Sequence, residues 1–148
     1  MTEPLHIVCP HCHTTNRVRA EQLASAPTCG QCKQPLFSGQ PVALDDEAAF
    51  DKHLARSQIP LLVDFWAPWC GPCRMMAPAY ERAAAALEPQ VRVAKVNTEA
   101  APALGTRYHI RSIPTLALFA GGREVARQAG AMTNPAQIAQ WVRAQLPR

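Results

Sequence analysis

Leu61-Leu62-Val63-Asp64-Phe65 is an apolar run broken only by Asp64. A strand without polar alternation suits a sheet position covered by helices on both faces. Beyond Cys70 the period changes, and Arg74-Met75-Met76-Ala77 opens a pattern that predicts a helix to about Leu87. Ala83 to Ala86 strengthen that helix, Pro78 is expected to kink it, and Met75 and Met76 read as core fillers. Upstream, Val42-Ala43-Leu44 predicts an edge strand. Ala49, Phe50, His53 and Leu54 mark one face of a helix capped by Asp45 or Asp46. His53 reads as an ordinary helix-surface residue rather than a ligand. Downstream come a strand over Val91–Val96, a short helix over Ala100–Tyr108 and a strand over Leu116–Phe119. Gly121-Gly122 then turns the chain into Glu124–Arg127. Thr133 or Asn134 caps a last helix, with Pro135 in its first turn and Ile138, Trp141, Val142 and Leu146 as its buried stripe. This order predicts an α/β domain whose mixed central sheet has helical crossovers and an antiparallel edge.

The first forty residues follow another pattern. Apolar positions are sparse, and Cys9-Pro10-His11-Cys12 and Cys29-Gly30-Gln31-Cys32 dominate. The spacing of the two pairs matches Cys-x2-Cys-x15–20-Cys-x2-Cys, a zinc signature. Each pair forms a tight knuckle, and four thiolates complete a closed tetrahedral shell around Zn²⁺. A segment this short has too little apolar content to fold alone, so metal binding supplies its folding free energy. Thr14 to Arg19 can form a strand, and Leu23, Leu36 and Phe37 can pack beside the metal. His11 and His13 are alternative ligands, but four cysteines already fill the shell, so they read as exposed loop residues. Ser38-Gly39-Gln40-Pro41 reads as a linker. The expected division is residues 1–39 for a zinc ribbon or knuckle and 40–148 for the α/β domain.

Composition narrows the function classes. At 148 residues the chain has room for one domain and an appendage, and 48% apolar content suffices for a packed core. The formal charge of +4 is scattered, so neither membrane nor nucleic-acid binding is expected. No apolar stretch nears the ~20 residues of a membrane span. No secretory signal is legible, so the expected location is the cytoplasm. There, six cysteines in three Cys-x-x-Cys pairs mean metal binding or catalysis rather than a disulfide framework.

The third pair, Cys70-Gly71-Pro72-Cys73, sits at a strand-to-helix junction. A helix N-terminus stabilises a thiolate, the nucleophile of disulfide exchange. Cys73, one turn deeper, can attack the first sulfur of a mixed disulfide. Trp69-Cys70-Gly71-Pro72-Cys73 after Val63-Asp64-Phe65-Trp66-Ala67 resembles the thioredoxin active site, and the likeness runs from about Leu44 to Leu146. With the zinc segment, the chain resembles the bacterial thioredoxin 2 type.

The resemblance implies a thioredoxin fold and a protein-disulfide reductase. Asp64 by itself reads either as a buried, proton-carrying carboxyl or as an exposed strand-end residue. The resemblance selects a buried Asp64 that exchanges a proton with Cys73, with Lys95 nearby. It also implies a cis Ile113–Pro114 bond facing the cysteines, with Ile113 offering its backbone to an extended substrate. Gly130, Trp69, Gly71 and Pro72 complete the implied substrate surface. The implied partners are disulfide-containing proteins and an NADPH-dependent thioredoxin reductase. Flavin and nucleotide belong to that partner, since this chain has no Gly-x-Gly-x-x-Gly. Two competing readings are a zinc-dependent redox-sensing module and a holdase triggered by metal loss.

Overall fold

Two strands flank the first Cys-x-x-Cys pair in the computed structural model, which describes residues 3–146. β1 (Leu5–Val8) and β2 (Thr15–Val18) pair antiparallel, with Leu5 opposite Val18 and Val8 opposite Thr15. A 3₁₀ turn (Ala20–Ser25) leads to the second pair. Ile7, Val18 and Leu36 form a small core beside the cysteines. The sequence pattern had no sign of β1, whose four residues are too few to show a period.

The larger part of the chain runs β3 (Val42–Ala43), α1 (Glu47–Arg56), β4 (Leu61–Trp66), α2 (Gly71–Leu87), β5 (Arg92–Asn97), α3 (Pro102–Arg107), β6 (Thr115–Ala120), β7 (Arg123–Ala129) and α4 (Pro135–Gln145). The five strands form one sheet in the order β3-β5-β4-β6-β7. β5 is parallel to β3 and β4, while β6 is antiparallel to β4 and β7. This is the expected mixed sheet. β4 lies at its centre, which is why Leu61 to Phe65 are all buried.

Side chains alternate across a strand, and the two cores follow. Leu61, Val63 and Phe65 join Phe50, Val96, Leu104 and Phe119 on the α1–α3 face. Leu62 joins Met76, Tyr80, Val93, Leu118, Ile138 and Val142 on the α2–α4 face. Asp64 shares the parity of Leu62, so it points toward α2. No helix among the described residues is long and apolar enough to cross a membrane.

Four expectations about exposure need correction. His53 is enclosed rather than on the surface, at 1% exposure. Its face of α1 meets the N-terminal segment, which helix periodicity alone cannot reveal. Met76 fills the core, but Met75 is 68% exposed, being one residue round the helix. Trp141 is half-buried at the edge of the α2–α4 core. His13 is not a free loop residue either, because its ring meets His53.

Candidate functional site

Cys70 is the N-cap of α2, and its sulfur accepts from the Cys73 N–H at 3.2 Å. That N–H is one of the donors a helix leaves unpaired at its start. Cys70 and Cys73 are joined as a disulfide, so the structure is of the oxidised form. Gly71 and Pro72 occupy the first helical positions and are exposed. Pro72 lacks an N–H where none is needed.

Other loops crowd the same end of the sheet. The Ile113–Pro114 peptide is cis, and the Ile113 carbonyl oxygen lies 3.7 Å from Cys70 Sγ. Gly130, at φ +96°, donates its N–H to the Pro114 carbonyl at 2.9 Å. That positive φ favours glycine over residues with a Cβ. Trp69 is 65% exposed, and its indole N–H donates to Glu99. An open groove of about 530 Å³ runs from Trp69 and Ile113 along α3 to His109 and Arg111.

Behind Cys73 lies a smaller cavity of about 180 Å³, lined by Asp64, Cys73, Lys95, Trp66, Tyr80 and Pro41. It has room for water beside polar groups. Asp64 and Lys95 are opposed in register on the parallel β4–β5 pair. Burial pushes the Asp64 carboxyl up to about 7, with the Lys95 charge opposing. Asp64 Oδ1 has no hydrogen-bond partner among the described residues. Lys95 Nζ lies over the Trp66 ring, 5.4 Å from its centre. Tyr80 and Pro41 carried no signal for this position. Tyr80 read only as helix, and Pro41 only as linker.

At the opposite end of the molecule the four other cysteines converge. The Sγ atoms of Cys9, Cys12, Cys29 and Cys32 all lie within 4.8 Å of one another. Cys9–Cys32 and Cys12–Cys29 are each separated by 3.6 Å. A tetrahedron with metal–sulfur bonds of ~2.3 Å has sulfur–sulfur edges of ~3.8 Å, so the four fit one metal ion. Backbone N–H groups support the charge. His11 and Cys12 donate to Cys9 Sγ, and Gln31 and Cys32 donate to Cys29 Sγ. The Cys32 N–H foremost holds the Cys29 thiol down to about 6. Asn16 ties β2 to the second knuckle. Its amide nitrogen donates to Cys29 Sγ at 3.5 Å, and its oxygen accepts from the Gly30 N–H at 2.9 Å. Sequence reasoning passed over Asn16, since one polar residue in a short strand has no distinguishing pattern.

Comparison with known proteins agrees with both halves. The Thioredoxin family profile matches residues 41–144, and the family described as Thioredoxin 2, N-terminal matches residues 8–34. Thioredoxin C-3 of Corynebacterium nephridii is 44% identical over 140 residues, covering 95% of this chain and 94% of the relative. Thioredoxin 1 of Synechococcus elongatus is 50% identical over 86 residues, covering 58% of this chain and 80% of the relative. A solved mutant thioredoxin from Halobacterium salinarum superposes with a TM-score of 0.66 at 28% identity, covering 76% of this chain and 96% of that one. The chain is a thiol-disulfide oxidoreductase that acts on protein disulfides and is served by a reductase. It belongs to the thioredoxin family and carries that family's thioredoxin 2 N-terminal zinc ribbon.

Proposed function

We propose that Cys70 is the attacking thiol and Cys73 the resolving thiol of a cytoplasmic protein-disulfide reductase. The reduced Cys70 thiolate attacks one sulfur of the substrate disulfide. A Cys70–substrate bond forms, the substrate S–S bond breaks, and one substrate thiolate leaves and takes a proton. Asp64 carboxylate then accepts the proton of Cys73 through the cavity they share. A carboxyl titrating near 7 can do this at neutral pH. The Cys73 thiolate attacks Cys70 Sγ, forming the Cys70–Cys73 disulfide and releasing the second substrate thiolate. Two electrons have passed to the substrate. An NADPH-dependent thioredoxin reductase returns them.

Trp69, Gly71, Pro72, Ile113, Pro114 and Gly130 form the substrate surface in this reading. Gly71 and Gly130 leave open space where a Cβ would stand. The Ile113 backbone sits beside the reacting sulfur, suited to pairing with an extended segment. Lys95 tempers the Asp64 carboxyl. Cys9, Cys12, Cys29 and Cys32 hold one structural Zn²⁺ in a segment spanning residues 1–39, and residues 40–148 form the catalytic domain. Four thiolates fit a closed shell, with no ligand position left for substrate. Such thiolates persist where thiols stay reduced, which supports a cytoplasmic setting.

The observation that carries the reading is the disulfide at the start of α2 with a buried carboxyl behind its second sulfur. The test is a disulfide-reduction assay with NADPH and thioredoxin reductase, run beside elemental analysis for zinc. Turnover with one zinc per chain is expected. Absence of turnover by a folded, reduced chain would remove the assignment.

A further inference from the structure

The metal-binding segment does not hang free on its linker. Gln58 N–H donates to the His6 carbonyl at 2.8 Å, and His6 N–H donates back to Gln58 Oε1 at 2.7 Å. Ile59 enters the ribbon's own core. Two further contacts differ from these, because each uses an enclosed ionisable side chain of the catalytic domain.

Arg92 opens β5 and is fully enclosed. Its Nη2 donates at 3.1 Å to the carbonyl of Val8, the residue before Cys9. Its guanidinium lies 4.4 Å over the Phe37 ring. Glu88 balances its charge at 3.3 Å, and the other Glu88 oxygen accepts from the Gly39 N–H at 3.1 Å. His53 of α1 meets His13 Nδ1 through Nε2 at 3.2 Å, and His13 directly follows Cys12. So each of these two side chains ends on a neighbour of a metal ligand, one on either side of the first knuckle.

We infer that Arg92 and His53 are positioning residues of the metal centre, clamping the Cys9–Cys12 knuckle to the catalytic domain and linking metal binding to that domain's stability. An enclosed ion pair is costly unless its surrounding partners are in place. Here those partners belong to a segment whose order depends on metal. Metal loss takes the Val8 carbonyl and the Phe37 face from Arg92, and the His13 ring from His53. Linkage is reciprocal: if metal binding strengthens the clamp, the clamp tightens metal binding by the same factor. Arg92 and the disulfide lie at opposite ends of the sheet, separated by the six residues of β5. The five steps from Arg92 to Asn97 make ~17 Å at ~3.3 Å per step. The clamp therefore acts on stability and metal retention, without touching the reacting sulfurs.

The inference rests on the zinc assignment, and the test keeps the two apart. All three tryptophans, Trp66, Trp69 and Trp141, lie outside the metal segment, so their fluorescence reports the catalytic domain alone. Thermal unfolding of the full chain is followed with zinc bound and after chelation. Zinc should raise the wild-type Tm, and Arg92→Met and His53→Phe should each lose most of that increment. Zinc release to excess chelator should quicken about tenfold in each, a typical coupling factor. The surface variant Arg143→Ala should keep the whole increment. A purely structural role would lower both Tm values equally and leave the increment intact, which overturns the clamp. A wild-type chain that takes up no zinc overturns the zinc assignment and the clamp with it. Amide exchange on the wild type decides the matter should either variant fail to fold. Chelation should speed exchange at Gln58 and Val93, whose N–H groups bond the His6 carbonyl and Glu88, and leave Leu118 unchanged. Unchanged exchange at Gln58 and Val93 overturns the clamp.

Discussion

Cys70 and Cys73 differ by one helical turn, and in the proposed mechanism that difference divides their labour. Cys70 caps α2 beside the Ile113 carbonyl, while Cys73 faces the cavity of Asp64. Cys70→Ser should abolish disulfide reduction. Cys73→Ser should accumulate mixed disulfides through Cys70, visible by mass spectrometry, because attack survives and resolution does not. Trapping through Cys73 instead would reverse the roles. Asp64 supplies a second prediction at this scale. Its folded pKa of about 7 stands above the ordinary 3.8 because burial disfavours the charge. Between these values the folded chain holds a proton that the unfolded chain has released. The group therefore lowers stability as pH rises from about 4 to 7, and its penalty is complete above that. Asp64→Asn should stabilise the chain at pH 8 by on the order of 2–4 kcal/mol and by little at pH 4. Urea unfolding at the two pH values checks this, and equal gains at both would refute it. The same variant should slow the resolving step.

At the scale of elements, caps decide what periodicity leaves open. Asp45 and Asp46 are equally good caps in the sequence. In the structure Asp46 accepts from the Ala48 and Ala49 N–H groups at 2.7 and 3.3 Å. Asp45 turns the other way and accepts from the Asn97 N–H at the end of β5, 2.8 Å away. Asp46→Ala should cost about 1 kcal/mol of stability and leave the rate of disulfide reduction unchanged, since no residue of α1 lines the groove or the cavity beside the disulfide. A rate change larger than the loss of folded protein would contradict that separation. Asn134, not Thr133, caps α4 through the Ala136 N–H. In α2 the same capping geometry serves chemistry, because the capping atom is the Cys70 sulfur.

Over the whole molecule, the sheet separates two kinds of sulfur chemistry. The disulfide lies where β4 ends, and the four-cysteine cluster lies where β4 and β5 begin. Every contact of the disulfide described above comes from residues beyond Gln40. A chain truncated before Gln40 should therefore fold and reduce a generic disulfide at a comparable rate. It should also melt at lower temperature, because truncation uncovers Ile59 and the Arg92–Glu88 pair. Circular dichroism melting and the reductase-coupled assay check both halves. Near-complete loss of activity in a folded truncation would make the metal segment part of the catalytic machinery.

Elements whose signal is local were legible in the sequence. β4 and α2 follow from an apolar run and a change of period. The two knuckles follow from cysteine spacing, and the Gly121-Gly122 turn from the two glycines, at φ +62° and +80°. Residues whose meaning depends on distant partners were not legible. Arg92 sits between two valines in a strand pattern, and only the docked hairpin explains how a guanidinium can be enclosed there. Its partner Glu88 is four residues away, a spacing that on an exposed helix means a weak surface pair. His53 read as surface because nothing in α1 says that a separate segment covers it. Local sequence determined which elements form and which chemistry each carries. Tertiary structure decided which polar side chains are taken out of water, because burial depends on what packs against a face and not on the face itself.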